Sequence, residues 1–285
     1  MFSHLLSSLS DGLVLGFVYG LAAMGLSLIW GVMAVINLAH GPVIALGMFT
    51  TYLLFYQAGL NPYLAIVVVA ALGLLFGLVM YGAAVHRVID APHLSSLLST
   101  FAVNMIIIGI GTAVFTTSPR NIDFAIGTLN LGPITIPLTR LVAALGAVLM
   151  TVFLYSFLYL TRPGKAIRAV ANNREAAELM GIPSSAILAL SFGLGTMLAA
   201  TAGAFISTFF PFTILSGFPY ELKSFVICVL GGLGHPLGAL VGGLILGGLE
   251  GLVPIFMPVS WVPVVEFSLF VLVLLVRPTG LFGAK

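Results

Sequence analysis

Apolar residues gather into about eight segments along the chain, at 12–36, 40–57, 62–85, 94–116, 138–160, 186–212, 222–253 and 259–276, with short polar punctuation between them. About 20 apolar residues cross a hydrocarbon core as a helix. The pattern therefore predicts an all-α, polytopic transmembrane helical bundle forming one domain over residues 1–285. Two segments are interrupted where a spanning helix is hard to sustain, at Asn37-Leu38-Ala39-His40-Gly41-Pro42 and at Gly231-Gly232-Leu233-Gly234-His235-Pro236-Leu237-Gly238. Proline removes a backbone donor, and polar backbone freed at membrane depth must be buried in protein or face a watery cavity. Broken helices are thus expected near 37–42 and 231–238. The second break leaves the count at eight or nine crossings and the side of the N-terminus open.

Glycines follow each break, Gly41 and Gly47 in the first region and Gly238, Gly242, Gly243, Gly247, Gly248 and Gly251 in the second. Small residues let helices approach closely. The shared His, Gly and Pro cluster also suggests two structural halves of the kind transporters use, although tight packing alone accounts for any single glycine.

Composition changes the picture only by closing alternatives. With 60% hydrophobic and 6% charged residues, against roughly 25% charged in soluble domains, the chain has no material for a water-facing surface. The first basic residue is Arg87, so the first apolar segment lacks a signal peptide's charged start and is expected to be structural. A net charge of +2, spread without a basic tract, excludes nucleic acid as a partner. Cys228 is the single cysteine, a small core residue that excludes an internal disulfide. Basic residues set the orientation: Arg87, Arg162, Lys165, Arg168, Arg174, Arg277 and Lys285 mark the cytoplasmic side, while Arg120, Arg140 and Lys223 fall on connections expected outside.

The loop at about 161–185 carries its own helix signals. Asn172 is a candidate N-cap with Glu175 three residues on as its capping-box partner, Gly181 a stop, and Pro183 a block to continuation. A self-capped helix where a few residues would connect two spans suggests a docking surface for a soluble partner. Here Glu175-Ala176-Ala177, three residues before Gly181, resembles the EAA loop through which ABC-importer permeases contact their ATPases, without the distal part of the longer pattern.

Four further stretches extend the resemblance to the permeases of branched-chain (hydrophobic) amino-acid ABC importers: Gly20-Leu-Ala-Ala-Met-Gly-Leu-Ser-Leu-Ile-Trp-Gly31, Ile36-Asn-Leu-Ala-His-Gly41, Leu230-Gly-Gly-Leu-Gly-His-Pro-Leu-Gly238 and Arg277-Pro-Thr-Gly-Leu-Phe-Gly283. The resemblance implies a multi-pass protein of the bacterial inner membrane. It also implies work with a second related permease, two cytoplasmic ATPases that use ATP and Mg, and a periplasmic substrate-binding protein. This chain itself would hold no cofactor. Asn172, Arg174, Glu175, Ala176, Ala177 and Gly181 would then couple to the ATPase. The same pattern includes importers of urea and short-chain amides. A stand-alone secondary transporter or channel is the rival reading, and sparse buried charge argues against it.

Asn37, His40, Asn104, Glu250 and Glu266 are candidates for the pathway, since polar side chains in apolar helices are costly unless used. Each also has a structural reading, as a hydrogen-bonded or ion-paired core group; Ser99 and Thr100 share it. His40 and His235 lack the third ligand a metal site needs. No nucleophile sits beside a base and no phosphate-binding loop occurs, so the sequence offers no active site.

Overall fold

The computed structural model describes residues 2–131 and 134–283. Its helices are α1 (Phe2–Met33), α2 (His40–Ala58), α3 (Pro62–Met80, continued by a π-helical turn at Tyr81–Val85), α4 (His93–Phe115), α5 (Leu138–Leu160), α6 (Arg162–Asn172), α7 (Arg174–Leu179), α8 (Ser184–Ile206), α9 (Gly217–Gly231), α10 (Pro236–Phe256) and α11 (Val262–Val276). A small antiparallel hairpin, β1 (Thr128–Leu131) and β2 (Ile134–Pro137), precedes α5, with Leu129 opposite Ile136.

Among the described residues, eight helical stretches are long and apolar enough to cross a membrane. Their membership differs from the expectation. The expected segment 40–57 is α2, whose threonines, tyrosines and glutamine lower its hydropathy; it is not among the eight, and His40 through Ala45 lie buried within the bundle. The expected segment 222–253 divides into α9 and α10, and the stretches Ile214–Gly231 and Pro236–Phe256 are each long and apolar enough to cross. Helix α9 also starts earlier than hydropathy suggested, running on directly from a short 3-10 turn at Ile214–Ser216 that Thr213 and Ser216 close with a capping box. That start corrects the placement of Lys223, which lies on α9 inside the bundle and not on an outer connection.

Both breaks have local causes. Helix α1 stops where Ala34 takes φ 51°, a left-handed conformation that costs about 1–2 kcal/mol for a residue with a Cβ. Thr100 of α4 then holds the connection, its hydroxyl accepting from the Leu38 amide at 3.2 Å and facing the Ile36 carbonyl at 3.1 Å. Pro42 sits in the first turn of α2, where no intrahelical donor is lost. The second break uses Gly232 at φ 98° and Gly234 at φ 82°, and Pro236 opens α10.

Helices α1 and α8 run through the centre and are largely buried, whereas α4 and α11 present Leu98, Ile106, Ile110, Val271 and Leu275 outward from the bundle. Antiparallel α1 and α10 meet backbone to backbone. A Cβ on Gly243 would stand 2.5 Å from the Gly20 Cα, and one on Gly247 equally close to the Gly16 Cα. The glycines after the two breaks serve different neighbours: Gly41 faces Gly217 and Glu221 of α9, while Gly238 packs back on Gly231 across its own break.

Candidate functional site

The loop between α5 and α8 is two helices joined at a sharp corner. Thr161 caps α6, its hydroxyl oxygen accepting from the Gly164 amide at 3.1 Å. Helix α6 turns Ile167 and Val170 inward, and Arg168 donates to the Leu158 carbonyl at 3.1 Å while its guanidinium lies 4.1 Å above the Tyr159 ring. This helix was not foreseen as a separate element. It fixes the base from which α7 projects.

The cap of α7 is Asn173, whose Oδ1 accepts from the Ala176 amide at 2.9 Å. The sequence pointed to Asn172, one residue early; Asn172 is the last residue of α6 and lines a cavity of about 390 Å³ with Tyr155, Arg168 and His235. Gly181 is the stop, as expected, at φ 81°. Its amide donates to the Glu178 carbonyl at 2.9 Å, and that of Ile182 to the Ala177 carbonyl at 3.1 Å, the paired bonds of a Schellman termination. Ala177 is buried beneath the helix, Glu175 and Ala176 face outward, and Leu179 and Met180 are 88% and 82% exposed.

Arg174 ties this helix to distant chain. It pairs with Asp90 in the turn between α3 and α4 at 2.7 Å and with Glu178 at 3.2 Å. The Ser184 hydroxyl, at the start of α8, donates to Glu178. Ser184 first and Arg174 second hold the Glu178 carboxyl below its usual range, and Asp90 raises Arg174.

The pathway candidates divide into two groups. Asn37 and His40 belong to the first break: Asn37 Oδ1 accepts from the Ala39 amide at 3.1 Å, and His40 Nε2 meets the Ala22 carbonyl at 2.9 Å. Asn37 Nδ2, His40 Nδ1 and Asn104 Oδ1 are buried without a partner among the described residues. Glu250 of α10 and Glu266 of α11 come together on Lys223, at 2.6 and 3.7 Å. Sequence reasoning missed Glu221, buried on α9 against Gly41, and Tyr19, whose ring lies 4.6 Å from the Lys223 ammonium. The charged pair Glu221 and Lys223 opening an apolar helix was the available signal for the first.

A lipid-facing bundle with broken inner helices and a braced helical loop on its basic face defines the membrane domain of a transport system. The chain belongs to the family described as the branched-chain amino acid transport system permease component, whose model matches residues 8–275. It is 30% identical to the high-affinity branched-chain amino acid transport system permease protein LivH of Salmonella typhimurium, over 99% of this chain and 96% of that one. The permease protein BraD of Pseudomonas aeruginosa is likewise 30% identical, over 98% and 96%. Among solved structures, PsaBC from Streptococcus pneumoniae in complex with Fab has TM-score 0.50 at 14% identity, covering 98% of this chain and 97% of that one; that likeness speaks for the fold alone. The protein is a transport subunit of the cytoplasmic membrane, crossing it several times, and not a catalytic enzyme.

Proposed function

We propose that this chain is the permease subunit of an ATP-driven importer for branched-chain or similar neutral amino acids. It forms the pathway with a second related permease, receives substrate from a periplasmic binding protein, and is driven by two cytoplasmic ATPases that use ATP and Mg. The observation that carries the reading is the bracing of α7 by three separate parts of the bundle: α6 behind it, Asp90 of the α3–α4 turn, and Ser184 of α8. A helix held in this way transmits a push. Displacement of α7 by a bound ATPase reaches α3, α4 and α8 together, and α8 is the buried centre against which α1, α2 and α3 pack. Asn173, Arg174, Glu175, Ala176, Ala177 and Gly181 serve coupling, with exposed Leu179 and Met180 at the projecting end.

The test is co-expression of the tagged chain with its partner subunits. Untagged ATPases should copurify, and Glu175→Lys, which reverses a charge in the first turn of α7, should reduce their retention while the chain still reaches the membrane. Full retention and normal uptake with Glu175→Lys would remove the coupling role.

A further inference from the structure

The charged cluster in the bundle plays no part in that coupling. Lys223 Nζ lies 2.6 Å from Glu250 Oε2 and 3.7 Å from Glu266 Oε1, so two carboxylates share one ammonium. Glu266 is 3% exposed, and its Oε1 has no hydrogen-bond partner among the described residues. A buried carboxylate without a full partner is costly, and the cluster is one cation short. Beside it opens a cavity of about 350 Å³ bounded by Glu250, Lys223, Tyr19, Tyr220, Phe210 and Pro211. Helix α8 leads from the basic cytoplasmic loop to residues 207–216, which puts this cavity at the outer end, where an imported molecule enters. A carboxylate beside Tyr19, whose ring face already holds an ammonium, that of Lys223, at 4.6 Å, is a receptor for an ammonium group, and the apolar remainder of the wall suits a hydrocarbon side chain.

We infer that this cavity binds the α-ammonium of the incoming amino acid, with Glu250 and the Tyr19 ring receiving it while Lys223 re-pairs with Glu266. The inference rests on the reading of the chain as an amino-acid permease. The hand-over gives each carboxylate its own cation, and leaves the ligand's carboxylate in water at the mouth. An amine without a carboxylate should therefore bind, and the matching acid without an amine should not.

The test uses the full chain in lipid nanodiscs without ATPases, with radiolabelled L-leucine at millimolar concentration. Unlabelled 3-methylbutylamine should displace the label and 4-methylpentanoate should not. Glu250→Gln should weaken binding roughly tenfold to a hundredfold, the loss of one hydrogen bond to a charged group. Glu266→Gln should weaken it too, by leaving Lys223 committed to Glu250. The competition arm needs no variant to fold. No leucine binding to the unaltered chain, displacement by the acid as well as by the amine, or displacement by sodium or potassium chloride as effective as by the amine would each overturn the proposal. Those outcomes would leave copurification of the ATPases unaffected, whereas failure of the importer reading appears there first.

Discussion

Arg174 and Lys223 each hold two carboxylates, and their surroundings make them different devices. Arg174 sits at the cytoplasmic edge with its partners in water: its side chain is 37% exposed, that of Asp90 75% and that of Glu178 47%. Lys223 is 19% exposed, between Glu250 at 26% and Glu266 at 4%. Exposed pairs contribute about 0–1 kcal/mol because water and salt screen them, so the Arg174 clip sets geometry more than stability. A pair set mostly inside a bundle is screened far less, and removing one member strands the other. The same arrangement of charges is thus an adjustable brace at the membrane edge and a fixed constraint, or an ion-exchange site, within it.

The sharpest break in this comparison is Lys223→Met, which leaves two carboxylates in the bundle without a cation and should cost about 3–5 kcal/mol, read as a lowered melting temperature in detergent. Adding Glu250→Gln and Glu266→Gln should restore most of it. Next in size is Gly181→Val, which forces a β-branched residue to φ 81° and should loosen α7 by about 1–2 kcal/mol, seen as faster hydrogen exchange at 177–182 with an unchanged global melt. Asn173→Ala should cost about 1 kcal/mol through loss of the cap and Asn172→Ala much less, which separates the two asparagines by the same measurement. Smallest is Arg174→Ala, at about 0–1 kcal/mol, with an effect that fades as salt is raised. Because the Glu178 carboxyl is held below its usual range by Ser184 and Arg174, its contribution is present above the ordinary carboxylate range and is lost as pH falls through the depressed value. Protection factors in α7, taken against the intrinsic exchange rate at each pH, should therefore fall on acidification and not on alkalinisation.

The two regions also differed in how far the sequence disclosed them. The position and the stop of α7 were readable because a helix in water is delimited by its neighbours in the chain, and Gly181 and Pro183 act within a few residues. Even there the cap moved by one residue, since Asn172 and Asn173 are chemically alike and only the packing of α6 decides where that helix ends. Of the Lys223 cluster, Glu250 and Glu266 were readable as candidates, with an ion pair as one reading, but not that both meet Lys223. Its members come from α1, α9, α10 and α11, and their meeting depends on the close approach of α1 to α10 through Gly12, Gly16, Gly20, Gly243, Gly247 and Gly251. The later glycines were noticed as a packing surface, but their partners on α1 were not, because nothing local in a sequence says which two glycine faces will meet. Hydropathy also set the start of α9 too late, where Glu221 and Lys223 are carried inside by burial and not by length of apolar run.

The central claim is that this bundle is driven through its cytoplasmic loop by ATP hydrolysis in partner subunits. Reconstituting the chain with those subunits in proteoliposomes, with binding protein and radiolabelled leucine on the side opposite α7, tests it directly. Leucine accumulation should require MgATP on the side of α7, fail with a non-hydrolysable analogue, and fall with Glu175→Lys. Accumulation that proceeds without ATP and follows an imposed sodium or proton gradient would contradict it.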